Sequence, residues 1–91
     1  MTVEPVDSLL YAARKMNREA LEQIFDLYAP VLYSRVIRSC EDPIVADHIV
    51  GDVFTKLLSQ LARGKGPRTN LGSYLFEMAD HLVTDKTRLK Q

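Results

Sequence analysis

Apolar residues recur along this chain at helical spacing. Between Asp42 and Ala62, the positions Ala46, Ile49, Val50, Val53, Phe54, Leu57, Leu58 and Leu61 follow one another at the three- and four-residue steps of a single helix face. Asp42 suits the N-cap, where a carboxylate accepts from orphan backbone N–H groups. Pro43 suits the first helical position, where no N–H is needed. Gly64 and Gly66 end the segment. A second stripe, Leu21, Ile24, Phe25, Tyr28, Leu32 and Val36, runs from about Glu19 to Cys40. Pro30 interrupts it, and a proline inside a helix costs ~3 kcal/mol in isolation. The pattern therefore predicts a kink or short break near Ala29 and then continuation of the helix, with two separate helices as the alternative. Asp7 to Met16 reads as a short first helix whose end Asn17 marks only loosely. Tyr74, Leu75, Met78, Ala79, Leu82 and Val83 form a last stripe, with Asn70 as its cap. No segment alternates with period two for long enough to compete as a strand. The expectation is an all-α fold, a small bundle of three to four helices around one core.

Length and composition narrow the function classes. The chain has 91 residues, 46% of them hydrophobic and 26% charged, an ordinary globular balance. That length predicts one domain over residues 1–91 and excludes a large enzyme with its own cofactor domain. Twelve Lys+Arg balance 12 Asp+Glu, so the strongly basic signature of a nucleic-acid binder is missing. The single cysteine, Cys40, cannot close an internal disulfide and reads as a small apolar filler. The apolar runs fall far short of a membrane span, and the acidic N-terminus lacks a signal pattern, so a cytoplasmic protein is expected.

Net neutrality hides local asymmetry. Glu41, Asp42, Asp47 and Asp52 precede the first base, Lys56, giving the third helix an acidic outer face. That face is either a solvated surface or a partner-binding one. The loop Arg63-Gly-Lys-Gly-Pro-Arg68 and the tail Lys86, Arg88, Lys90 are basic. The loop lacks the Gly-Lys-Ser/Thr ending of a phosphate-cradling turn. His48 with Asp52, and Glu77 with His81, lie one helical turn apart, a spacing common in surface pairs. No nucleophile motif or metal-ligand spacing occurs, so neither an enzyme nor a metal or other cofactor is expected.

Several runs together resemble a known family. They are Glu19-Ala-Leu-Glu-Gln-Ile-Phe-Asp-Leu-Tyr-Ala-Pro-Val-Leu-Tyr33, Asp42-Pro-Ile-Val-Ala-Asp47, Ile49-Val-Gly-Asp-Val-Phe-Thr-Lys-Leu-Leu58, Ser73-Tyr-Leu-Phe-Glu-Met-Ala79 and Leu82 to Asp85. From about Asp7 to Leu89 the chain resembles region 2 of bacterial sigma-70-type sigma factors, most of all the extracytoplasmic-function (ECF) group. The resemblance implies a helical transcription-initiation module. It would dock on the clamp coiled coil of the largest core RNA polymerase subunit, then recognise and melt the −10 promoter element through its non-template strand. An anti-sigma factor is a further implied partner. The docking face would comprise Asp47, His48, Gly51, Asp52 and Lys56. Phe76 and His81 would meet bases, and Lys86, Arg88 and Lys90 would meet phosphates; Arg63, Lys65 and Arg68 add a positive path for the backbone. The strand-melting and recognition helix implied by the resemblance is Leu71–Leu89; Tyr74 also falls in it, but its place on the apolar stripe favours core packing.

The chain departs from the family pattern at informative places. Gly51 stands where the family usually has glutamine, and His48 where it has an acid. Glu77 replaces a typical arginine, and His81 an asparagine. Glu77 and Asp80 would repel phosphates, which favours an alternative: a degenerate sigma-like interaction domain that binds polymerase or an anti-sigma factor without DNA. The sequence ends at Gln91, before the family's specificity loop and its helix-turn-helix domain. That implies either a domain excised from a longer chain or a shortened relative.

Overall fold

Four helices follow one another in the computed structural model, which describes residues 5–88 and the side chains of residues 6–86. They are α1 (Pro5–Arg14), α2 (Arg18–Cys40), α3 (Pro43–Ala62) and α4 (Leu71–Arg88), and the described residues contain no strand. The fold is thus the small all-α bundle that the periodicity predicts. No helix among the described residues is long and apolar enough to cross a membrane.

α2 lies at the centre of the bundle and packs on α1, α3 and α4, while α3 also packs on α4. Its buried positions, Ala20, Ile24, Leu32 and Val36, explain how it serves three neighbours. At 100° per residue, the step from Ala20 to Val36 turns the buried face by about 160°, so successive stretches of α2 face different helices. Pro30 does not break the helix, which runs on to Cys40. The N–H that Pro30 lacks would have served the carbonyl of Asp26, and both residues are solvent-exposed. Water can take that bond, and packing on both sides of the proline outweighs its intrinsic penalty.

Helix ends are set by local chemistry. Asp42 Oδ1 accepts from the backbone N–H of Ile44 at 2.9 Å and of Val45 at 3.4 Å, with Pro43 in the first turn, as the sequence indicates. Asn17 caps α2 rather than ending α1: its Oδ1 accepts from Ala20 N at 2.9 Å. α1 closes one turn earlier, with Met16 left-handed at φ 61° and Asn17 N donating back to Ala12 O. α3 ends the same way. Gly64 (φ 73°) donates to Leu61 O, and Lys65 N reaches Gln60 O at 2.8 Å. Asn70 precedes α4, but in the left-handed region (φ 54°). Its carbonyl, not its side chain, takes part in the first turn, accepting from Tyr74 N.

The core gathers Leu10, Ala13, Ile24, Leu32, Val36, Ile49, Val53, Leu57, Leu71, Leu75 and Ala79, each essentially inaccessible to solvent. No polar or charged residue is buried with them among the described residues. Apolar burial therefore holds the bundle, at roughly 1.5–3 kcal/mol for each large side chain relative to exposure.

Candidate protein and nucleic-acid interfaces

The outward half of α3 is built by subtraction. Ala46, Ile49, Val50, Val53, Phe54, Leu57 and Leu61 are buried, which turns the opposite half of the helix to solvent. Asp47, His48, Gly51, Asp52 and Lys56 all lie on that exposed half. None of their side chains has a hydrogen bond or ion pair among the described residues. His48, Gly51 and Asp52 lie toward the middle of that half, whereas Asp47 and Lys56, nine residues and about 180° apart around the helix, stand at its two opposite edges. Thr55, in the middle of this surface, spends its hydroxyl on Gly51 O at 2.9 Å. Gly51 has open space where a Cβ would stand, so packing does not require glycine there.

Two members of the apolar stripes escape the core. Phe25 is 47% and Leu58 41% exposed. They flank a groove of about 310 Å³ between the start of α2 and the second half of α3, floored by Leu21, Ile24, Phe54 and Leu57. The Phe25 and Phe54 rings meet at a centroid distance of 4.8 Å and a tilt of 58°.

The basic loop after α3 is not a simple phosphate-contacting strip. Arg14, from the end of α1, inserts its guanidinium among the loop carbonyls. Its Nη1 donates to the carbonyls of Lys65 (3.2 Å), Gly66 (3.2 Å) and Pro67 (3.0 Å), and its Nη2 to that of Gly64 (3.2 Å). Left-handed glycines at 64 and 66 let the chain curl around this cation. The loop backbone therefore offers acceptors to an internal cation, the reverse of a phosphate cradle. What remains for an anion is the side chains of Arg63, Lys65 and Arg68, all exposed. Arg68 borders a depression with Asp7, Ser8, Tyr11 and Lys15. There Lys15 Nζ sits 4.3 Å from the Tyr11 ring centroid. Its hydrogen bond and charge lower the pKa of the Tyr11 hydroxyl.

On α4 the candidates separate. Phe76 and His81 are five residues apart, about 140° around the helix, so they cannot address one base together. His81 and Glu77 are exposed, whereas Phe76 is half-buried and packs against the core. Tyr74 is also half-buried against the core, in line with its place on the stripe. Lys86 is half-buried and lies about 15 Å along the helix from Phe76. Arg88 closes α4 without a described side chain, and Lys90 lies outside the described residues.

Asp80 is not the free acid that the sequence suggested. Arg35 of α2 grips it with two bonds, Nε to Oδ1 at 3.0 Å and Nη2 to Oδ2 at 2.9 Å. The Arg35 hydrogen bonds, aided by the charges of Arg35 and His81, hold the Asp80 carboxyl below the usual carboxylate range against partial burial. The same interaction raises the pKa of Arg35. The guanidinium also stacks on Phe76, with Cζ 5.1 Å from the ring centroid. A depression of about 330 Å³ beside it is lined by Val31, Ser34, Arg35, Arg38 and Phe76. Sequence reading missed Arg14, Arg35 and Arg38. Nothing in the local pattern names their partners, which lie 45 or more residues away for Arg14 and Arg35.

No cluster of three or more potential metal ligands occurs among the described residues. Comparison of the chain with protein-family models, curated proteins and solved structures found no match.

Proposed function

We propose that this chain is a non-catalytic transcription-initiation module of the sigma region 2 type. In this reading, it docks on the clamp coiled coil of the largest core RNA polymerase subunit through the outward half of α3. The observation that carries the proposal is the state of that surface. Asp47, His48, Gly51, Asp52 and Lys56 span the exposed half of a helix whose buried residues are all apolar, and none of the five has an internal partner among the described residues. Such a rigid, charged face gives a partner orientation and specificity, and the half-exposed Phe25 and Leu58 nearby add apolar contact area. The family resemblance supplies the partner's identity. α4 and the basic loop before it would contact the non-template strand of the −10 element, with Phe76 as the stacking platform and Arg63, Lys65 and Arg68 along the backbone.

Binding of wild-type chain and of Asp52→Lys to the isolated clamp coiled coil, measured by calorimetry, tests the docking. The proposal expects about a tenfold or greater loss for the variant, ~1.4 kcal/mol, with an unchanged melting curve. Equal affinity would remove α3 from the interface.

A second reading is a sigma-like interaction domain that binds polymerase or an anti-sigma factor without DNA. It is favoured by the covering of Phe76 by Arg35 and by the exposed Glu77 on α4. Titration of labelled single-stranded −10 DNA at low salt separates the two readings.

A further inference from the structure

The seam between α2 and α4 contains the parts of an anion-and-ring site, held closed by one of its own residues. Phe76 is the aromatic surface, and Arg35 lies across it. Arg38, three residues further along α2, is exposed and has no ion-pair partner among the described residues. Ser34 adds a hydroxyl to the same depression of about 330 Å³. Two guanidinium groups, a hydroxyl and a ring are what a phosphodiester with an adjoining base requires: charge and forked donors for the phosphate, a π-face for the base. Asp80 opposes this use, because its two oxygens already occupy the Nε–Nη2 edge of Arg35 and its charge repels a phosphate.

We propose that Asp80 is an internal competitor for Arg35. The ion pair keeps the guanidinium over Phe76, and a phosphodiester of single-stranded nucleic acid displaces Asp80 to open the ring to a base. This inference rests on the DNA-binding part of the function proposed above, and it assigns regulation to that surface. The exchange is physically easy. The side chains of Arg35 and Asp80 are 49% and 53% exposed, so water screens their attraction and can solvate the released carboxylate. A phosphate offers the same two-oxygen geometry and, unlike Asp80, can engage Arg38 as well. The carboxylate left behind still repels the phosphate, so wild-type binding is weak and sensitive to salt. Asp80 thus suppresses indiscriminate binding to polyanions, and only a ligand whose base also stacks on Phe76 overcomes it.

The test is fluorescence anisotropy of a short labelled oligothymidylate at several salt concentrations, with melting curves for every variant. Asp80→Asn leaves a neutral acceptor in place and is expected to bind about tenfold tighter than wild type. Arg35→Gln and Arg38→Gln should each weaken binding and reduce the salt slope by about 0.7, the share of one phosphate contact on a single strand. Phe76→Leu should weaken binding about tenfold, with little change in salt slope, because it removes stacking rather than charge. Heparin, a polyanion without bases, should gain from Asp80→Asn and be indifferent to Phe76→Leu. If wild type binds the oligonucleotide while Asp80→Asn and Arg35→Gln both bind as wild type does, the competitor is refuted and the DNA-binding reading stands. If neither wild type nor Asp80→Asn binds at low salt, both fall, and the α3 docking proposal is judged separately on the coiled coil.

Discussion

Two charged surfaces of this bundle look alike in sequence and differ in the fold. On the outward half of α3, Asp47, Asp52 and Lys56 stand exposed without partners among the described residues. In the seam between α2 and α4, Arg35 and Asp80 satisfy each other across 45 residues of sequence, and the Arg35 guanidinium lies over the Phe76 ring. The α3 surface is ready for an external partner as it stands, whereas the seam must exchange an internal partner first. A charge count cannot tell these states apart, because what separates them is which helix packs opposite. The difference also orders the two halves of the proposed function. Docking needs no rearrangement, but strand binding carries the cost of opening an ion pair.

Leu75→Ala empties a fully buried position on α4 and should cost about 2–5 kcal/mol in chemical denaturation. In a domain of this size, that also loosens the packing of α4 on α2, so the Arg35–Asp80 geometry should suffer before the surface of α3 does. Arg14→Ala comes next. It strips the cation from four loop carbonyls and should cost about 1–3 kcal/mol, with faster amide exchange confined to residues 63–68. Gly51→Ala sharpens the contrast in the other direction. With open space around the site and an ordinary helical backbone, it should stabilise the chain by up to about 1 kcal/mol. If the same variant also weakens binding to the coiled coil, the partner approaches α3 closely enough to need the missing side chain.

The smallest effect is one of pH. The folded-state pKa of Asp80 is depressed, so its contribution to stability is complete above the ordinary carboxylate pKa. It is lost as pH falls through the lowered value. Melting temperature measured against pH should therefore fall less steeply on the acid side in Asp80→Asn than in wild type. The difference should be slight for so exposed a pair.

Much of this architecture is legible in the residues. The α3 stripe apart from Leu58, the Asp42-Pro43 start and the Gly64 stop are local chemistry, and they hold in the structure. Other features depend on neighbours that one sequence does not reveal. Pro30 leaves the sequence open between one helix with a kink or short break and two separate helices, and packing on both sides of it carries α2 through as one. Phe25 and Leu58 match the core period and are left half-exposed, because the α2–α3 contact leaves a groove between them. Asn17 carries the signal of a start, an Asn before a helical stripe, but the stripe's first buried residue, Ala20, is too small to announce it. Within the candidate site, exposure on α3 follows directly from periodicity. The roles of Arg14 and Arg35 do not, since each depends on a partner far along the chain.

The proposed function depends above all on docking through the outward half of α3. It is tested most directly by following backbone amide resonances while the isolated clamp coiled coil is added. Docking through α3 should shift the resonances of Asp47, His48, Gly51, Asp52 and Lys56 most, extending at most to Phe25 and Leu58, with α4 largely silent. Binding that leaves the α3 resonances in place and moves those of another surface would contradict it, as would no shifts at all at saturating coiled coil.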